Sequence, residues 1–140
     1  MDNCIVYLGV NMSATKIERS QTRIIETPNA SMTTLVSPTQ GGTNTLSLWR
    51  VTMRAGQRGP LHTFDVEQAW HLLDGRATVT VDSETIDLSA GDTVAIPAGT
   101  QRQISSDSGA VFVVSGAAYG LATAFSTDGG GEPVSPAWIV

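Results

Sequence analysis

Leu46-Ser47-Leu48-Trp49-Arg50-Val51-Thr52-Met53-Arg54 is the stretch from which the fold is read. Trp49, Val51 and Met53 alternate with Arg50, Thr52 and Arg54, the period of a strand with one buried face. Ala55-Gly56 ends it. Outward from there the signals repeat. Gln68 to Leu73 reads as a second strand, closed by Asp74-Gly75. Ala77, Val79 and Val81 alternate with Thr78 and Thr80 in a third. Asp82-Ser83-Glu84 turns the chain into Thr85–Leu88, and Gly91-Asp92 turns it again. Val94–Ile96, Gln101–Ser105 and Ala110–Gly116 follow, the first closed by Pro97-Ala98-Gly99. No run of ten residues carries a helical period; Ala14–Ile25 supports a turn or two at most. Short strands cut by Gly, Pro and Asp turns argue an all-β sandwich or closed barrel.

The chain has 140 residues, the length of one domain. Charged residues are only 15% of it, which favours a covered surface and hence a homodimer. Its eight basic residues against thirteen acidic ones give a net charge of -5. Such a chain has no basic stripe for nucleic acid and no attraction to an anionic membrane. The single cysteine, Cys4, excludes an internal disulfide framework and suits a reducing cytosol, so the cytoplasm is the expected location. Cys4–Val10 is too short to span a bilayer. Residues 1–11 read as an upstream-start extension or an edge strand, and 12–45 as an N-terminal strand with loops. Residues 46–116 form the barrel core, and 117–140 a loop and a docking tail. Trp138, in the apolar end of that tail, is expected to pack on the barrel or on a second subunit.

Gly56, His62 and Gly75 are spaced G-x5-H-x12-G, and Gly91, Pro97 and Gly99 are spaced G-x5-P-x-G. Together these stretches resemble the two signature motifs of the cupin family. The resemblance covers about half of the chain, residues 46 to 116, and implies a single-domain cupin β-barrel (a double-stranded β-helix or jelly roll). Ser106 stands where the second motif ends in Asn. The resemblance also implies a divalent metal held by two His, a Glu and a third His. At those places this chain has His62, Phe64, Gln68 and Arg102. His62 is the surviving ligand and Gln68 a weak oxygen donor. Phe cannot coordinate, and Arg remains a cation. The metal-dependent activity common in the family is therefore not expected to transfer, and no cofactor is expected. Glu67 and His71 should point opposite to Gln68 and Trp70, out of the barrel, unless a bulge reverses them.

What remains is a pocket. His62, Gln68 and Arg102 should converge from neighbouring strands. Phe64, Trp70, Ile104, Trp49, Val51 and Met53 should form an apolar wall, the usual make-up of a small-molecule site. Arg102 offers a fork suited to a carboxylate or enolate, Gln68 can donate and accept, and His62 can act as an acid or base. Structural alternatives stand beside these roles. Arg102 could pair with Asp65 or Asp107, His62 could bond Gln68, and the aromatics could fill the barrel solid.

Two functions follow. One is a metal-independent enzyme, of isomerase, cyclase, decarboxylase or epimerase type, acting on a small organic acid or carbonyl compound. The other is a non-catalytic sensor or carrier of such a metabolite. A metal-dependent cupin with an atypical ligand set is a third, lesser reading. The ligand is expected to be anionic with an apolar body. The homodimer could use Ile24-Ile25, the strand at 4–10, the tail, or the outward residues Arg50, His71 and Leu73.

Overall fold

The computed structural model describes residues 13–126 and 128–140. The expectation for residues 1–11 lies outside them. The described residues are all-β, with one 3-10 turn at Arg19–Gln21. The strands are β1 (Arg23–Glu26), β2 (Ser31–Val36), β3 (Leu46–Met53), β4 (Gln57–Arg58), β5 (His62–Phe64) and β6 (Gln68–Val81). They continue as β7 (Glu84–Ser89), β8 (Thr93–Ile96), β9 (Arg102–Ser106), β10 (Ala110–Ala117), β11 (Ala122–Ser126) and β12 (Gly129–Gly130). All the ladders between these strands are antiparallel.

β6 joins the two sides of the barrel. Its first half pairs with β10 and β8, and through β10 with β3, β2 and β1. Its second half pairs with β7 and β9, and through β9 with β5 and β11. The sequence reading split this strand at Asp74-Gly75; the structure runs it through as fourteen residues. A bulge opposite Val111 and Phe112 absorbs the break. Before it Gln68, Trp70 and Leu72 point inward; after it Ala77 and Val79 do. Gly75 makes the passage, because its φ is +84° and an added Cβ would lie 2.1 Å from the Gly109 carbonyl oxygen.

Trp49, Val51 and Met53 are buried as their alternation predicts, and meet Leu72, Phe112 and Val114 in the core. The Trp70 ring stands edge-on to Phe112, with centroids 5.2 Å apart. The tail docks on this barrel. Ile139 is fully buried, Thr34 Oγ1 donates to the Trp138 carbonyl at 2.6 Å, and the Val140 oxygen receives Ser37 Oγ at 2.7 Å. No helix among the described residues is long and apolar enough to cross a membrane.

Candidate functional site

A cavity of about 430 Å³ opens on the inner face. Trp49, Val51, Met53, Phe64, Trp70 and Ile104 line it, as the strand alternation requires. His62 supplies the imidazole at its border. Two further walls come from Ala30 and Met32 near and on β2, and from the tail, where Pro136 and Trp138 face inward. The sequence reading missed the β2 wall. On its inward face Met32 is followed by Thr34, a hydroxyl that donates to the tail and breaks the apolar alternation.

His62 opens β5, a three-residue strand entered through Pro60. Its Nδ1 lies 2.8 Å from the Pro60 carbonyl oxygen. A carbonyl can only accept, so Nδ1 carries the proton and Nε2 is left with its lone pair. The ring meets the edge of Phe64, with centroids 5.5 Å apart. Burial lowers the imidazole pKa below its ordinary 6.5; the Pro60 bond opposes this, and the Arg102 charge adds to it. His62 is thus held in its neutral form at pH 7.

Gln68 and Arg102 meet behind that wall. Arg102 is the Cα partner of both His62 and Val81, which turns its side chain into the barrel. Its Nη1 donates to Gln68 Oε1 at 3.1 Å, and Nη2 to the Pro97 carbonyl at 3.4 Å. Trp70 Nε1 also donates to Gln68 Oε1, at 3.1 Å. Two donors on one oxygen fix the orientation of the amide. Gly116 leaves room for it, since a Cβ there would stand 3.0 Å from Gln68 Cγ. The guanidinium lies over Phe64, its carbon 5.3 Å from the ring centroid.

The expected three-way convergence therefore divides. Gln68 and Arg102 form one cluster, and His62 turns to Pro60 rather than to Gln68. Neither Gln68 nor Arg102 borders the cavity; both are buried beneath Phe64 and Trp70. Among the described residues no acid meets Arg102. Asp65 instead accepts from the Leu121 amide at 2.7 Å, Asp107 is exposed, and the sole salt bridge among the described residues is Lys16–Glu18. Arg102 Nε and Gln68 Nε2 are buried without partners. Burial pushes the Arg102 pKa down to about 10, which still leaves a cation at neutral pH.

These residues do not fit a divalent metal. The Gln68 oxygen is already bonded twice, Phe64 has no donor, and the guanidinium brings its own positive charge. No group of three or more His, Cys, Asp or Glu side chains is placed to hold a metal ion among the described residues. Glu67 is exposed, and His71 points outward to Thr93 Oγ1 at 2.7 Å, so neither rebuilds a site. The bulge in β6 lies downstream of both. Ser106 is structural: its Oγ donates to the Arg76 carbonyl at 2.6 Å and accepts the Gly109 amide at 2.9 Å.

A cupin domain model matches residues 49–117. Among curated proteins none matches the chain. Among solved structures, an RmlC-like cupin from Shewanella frigidimarina NCIMB 400 is similar over 75% of this chain and 91% of its own, with 20% identity and a TM-score of 0.65. The polyketide cyclase RemF from Streptomyces resistomycificus matches over 75% and 80%, with 16% identity and a TM-score of 0.64. Salicylate 1,2-dioxygenase from Pseudoaminobacter salicylatoxidans, as an adduct with gentisate, matches 67% of this chain at 20% identity and a TM-score of 0.60. This chain covers 26% of that dioxygenase. At these identities the likeness is one of fold. The matched domain, the all-β barrel and these neighbours together place the chain in the cupin superfamily.

Proposed function

We propose that the cavity takes a small carbonyl compound or organic acid with an apolar body, and that His62 removes a proton from it without a metal. The observation that carries this reading is the His62 ring at the border of an apolar cavity, its Nδ1 pinned to Pro60 and its Nε2 left basic. In the step, Nε2 takes a proton from carbon beside the carbonyl. The C–H electron pair passes into the enolate, and the imidazolium returns a proton to the same or a neighbouring atom. This is an isomerase- or cyclase-type reaction. The polyketide cyclase RemF, alike in fold, shows that such a barrel can carry a cyclase.

A test uses 2-tetralone, a neutral, enolisable fused-ring ketone, in D2O. Calorimetry should show binding, and NMR should show deuterium entering beside the carbonyl. His62→Ala should slow that exchange by about 10²-fold or more while leaving binding in place. Binding with no His62-dependent exchange would favour a carrier or sensor over an enzyme. Failure of the wild type to bind would overturn the cavity reading. Elemental analysis showing a stoichiometric transition metal would overturn metal independence.

A further inference from the structure

Arg102 presents a cost that the fold does not explain. Its side chain is fully buried, and among the described residues no carboxylate faces it and its Nε has no partner. An unpaired buried cation is unfavourable unless something compensates it. Its compensation is weak: a neutral amide oxygen, one long bond to Pro97, and the face of Phe64. The Gln68 amide beside it also keeps a buried donor, Nε2, unused. The cluster has donors to spare and no carboxylate side chain among the described residues.

Like Trp70, which donates to Gln68, Phe64 touches both this cluster and the cavity. It covers the guanidinium at 5.3 Å and lines the cavity that Arg102 does not reach. It sits at the end of a three-residue strand, opposite the small Ala122. The cavity of about 430 Å³ opens beside its ring.

We propose that Phe64 is a rotating cover over a latent anion site, and that the ligand of the cavity carries one carboxylate-class group that displaces the ring from Arg102. The proposal rests on the cavity reading above and names the head group of its ligand. The aromatic body stays among Trp49, Met53, Trp70 and Trp138, and the anionic oxygens take the guanidinium fork. A charge-assisted bond formed out of water replaces the weaker ring contact. The same cover keeps water off the cation while the cavity is empty.

The experiment compares 2-naphthoate with neutral 2-tetralone by calorimetry. Arg102→Met should weaken 2-naphthoate by about 10- to 100-fold and leave 2-tetralone within about twofold, the range expected for a hydrogen bond to a charged group. It should melt no lower than the wild type, because it removes a buried charge. Phe64→Leu keeps the apolar bulk, removes the ring face, and should tighten 2-naphthoate severalfold. It also decides the matter should Arg102→Met fail to fold. If the wild type and Arg102→Met bind 2-naphthoate equally while both bind 2-tetralone, the anion site is overturned and the cavity stands. If Phe64→Leu leaves 2-naphthoate affinity unchanged, the cover is overturned. If the wild type binds neither probe, the cavity reading itself fails.

Discussion

At the scale of single residues, His62 has its tautomer set by one contact. The Pro60 carbonyl takes Nδ1–H, and burial with the nearby Arg102 charge holds the ring neutral. The sign of its pH dependence follows. A base acts in its neutral form, and here the neutral form persists below 6.5, until pH falls through the lower folded pKa. An unfolded imidazole takes its proton first, so stability also begins to fall below 6.5 and is fully present above it. The rate of His62-dependent exchange of 2-tetralone should stay level as pH drops through 6.5 and decline only below. A rate–pH profile with its midpoint at or above 6.5 would contradict this. The motif resemblance brings His62, Gln68 and Arg102 to adjoining strands, and that much is legible in the sequence. What could not be read was which neighbour each would choose. Two residues of the same lead-in, Pro60 and Phe64, decide it through a carbonyl and a ring face, and neither leaves a pattern in sequence.

At the scale of elements, the clearest strands are those with a run of alternating inward apolar residues, Trp49, Val51 and Met53 in β3 and Ala110, Phe112 and Val114 in β10. β3 and β10 read plainly. β6 was read as two strands because Asp74-Gly75 is a turn signal; a bulge uses the same residues to change which side faces in. β1 and β2 were read only as a lead-in, since β2 buries a threonine where an apolar residue would have declared it. The tail shows the reverse case. Trp138 announced docking, and the hydrogen bonds explain how it is held: Thr34, Ser37, Thr39 and Arg23 all donate to main-chain oxygens of Trp138 or Val140. Ile139 is the apolar anchor of this segment. Ile139→Ala should lower the unfolding free energy by about 2–5 kcal/mol, read from urea titration. It should also weaken 2-tetralone severalfold, because Pro136 and Trp138 lose their seat on the cavity. A loss of stability with unchanged binding would show that the tail covers the barrel without shaping the site.

At the scale of the molecule, the outer face of the sheet that carries β1, β2, β3, β10, β6 and β8 raises the question of a partner. Register sets one row straight across it: Ile24, Thr33, Arg50, Val113, His71 and Thr93 are successive Cα partners. Beside that row the face continues through Leu48, Ser115, Ala69 and Ala95. Arg50 is the only Asp, Glu, Lys or Arg among these ten, and Ile24 is 61% exposed. A band with so little charge, bordered by Glu26 and Asp74 in the next row and on a chain with only 15% charged residues, is what a second copy would cover. A two-fold arrangement sets the same row against itself, which suits a face without a block of like charge. Size-exclusion chromatography with light scattering at micromolar concentration should return twice 14.7 kDa. Val113→Asp, at the middle of the row and pointing away from the core, should shift that mass to the monomer while leaving 2-tetralone binding in place, since the cavity lies on the opposite side of β10. A wild-type monomer at that concentration would remove the dimer; a Val113→Asp dimer would move the interface elsewhere, to the β1 edge or the tail.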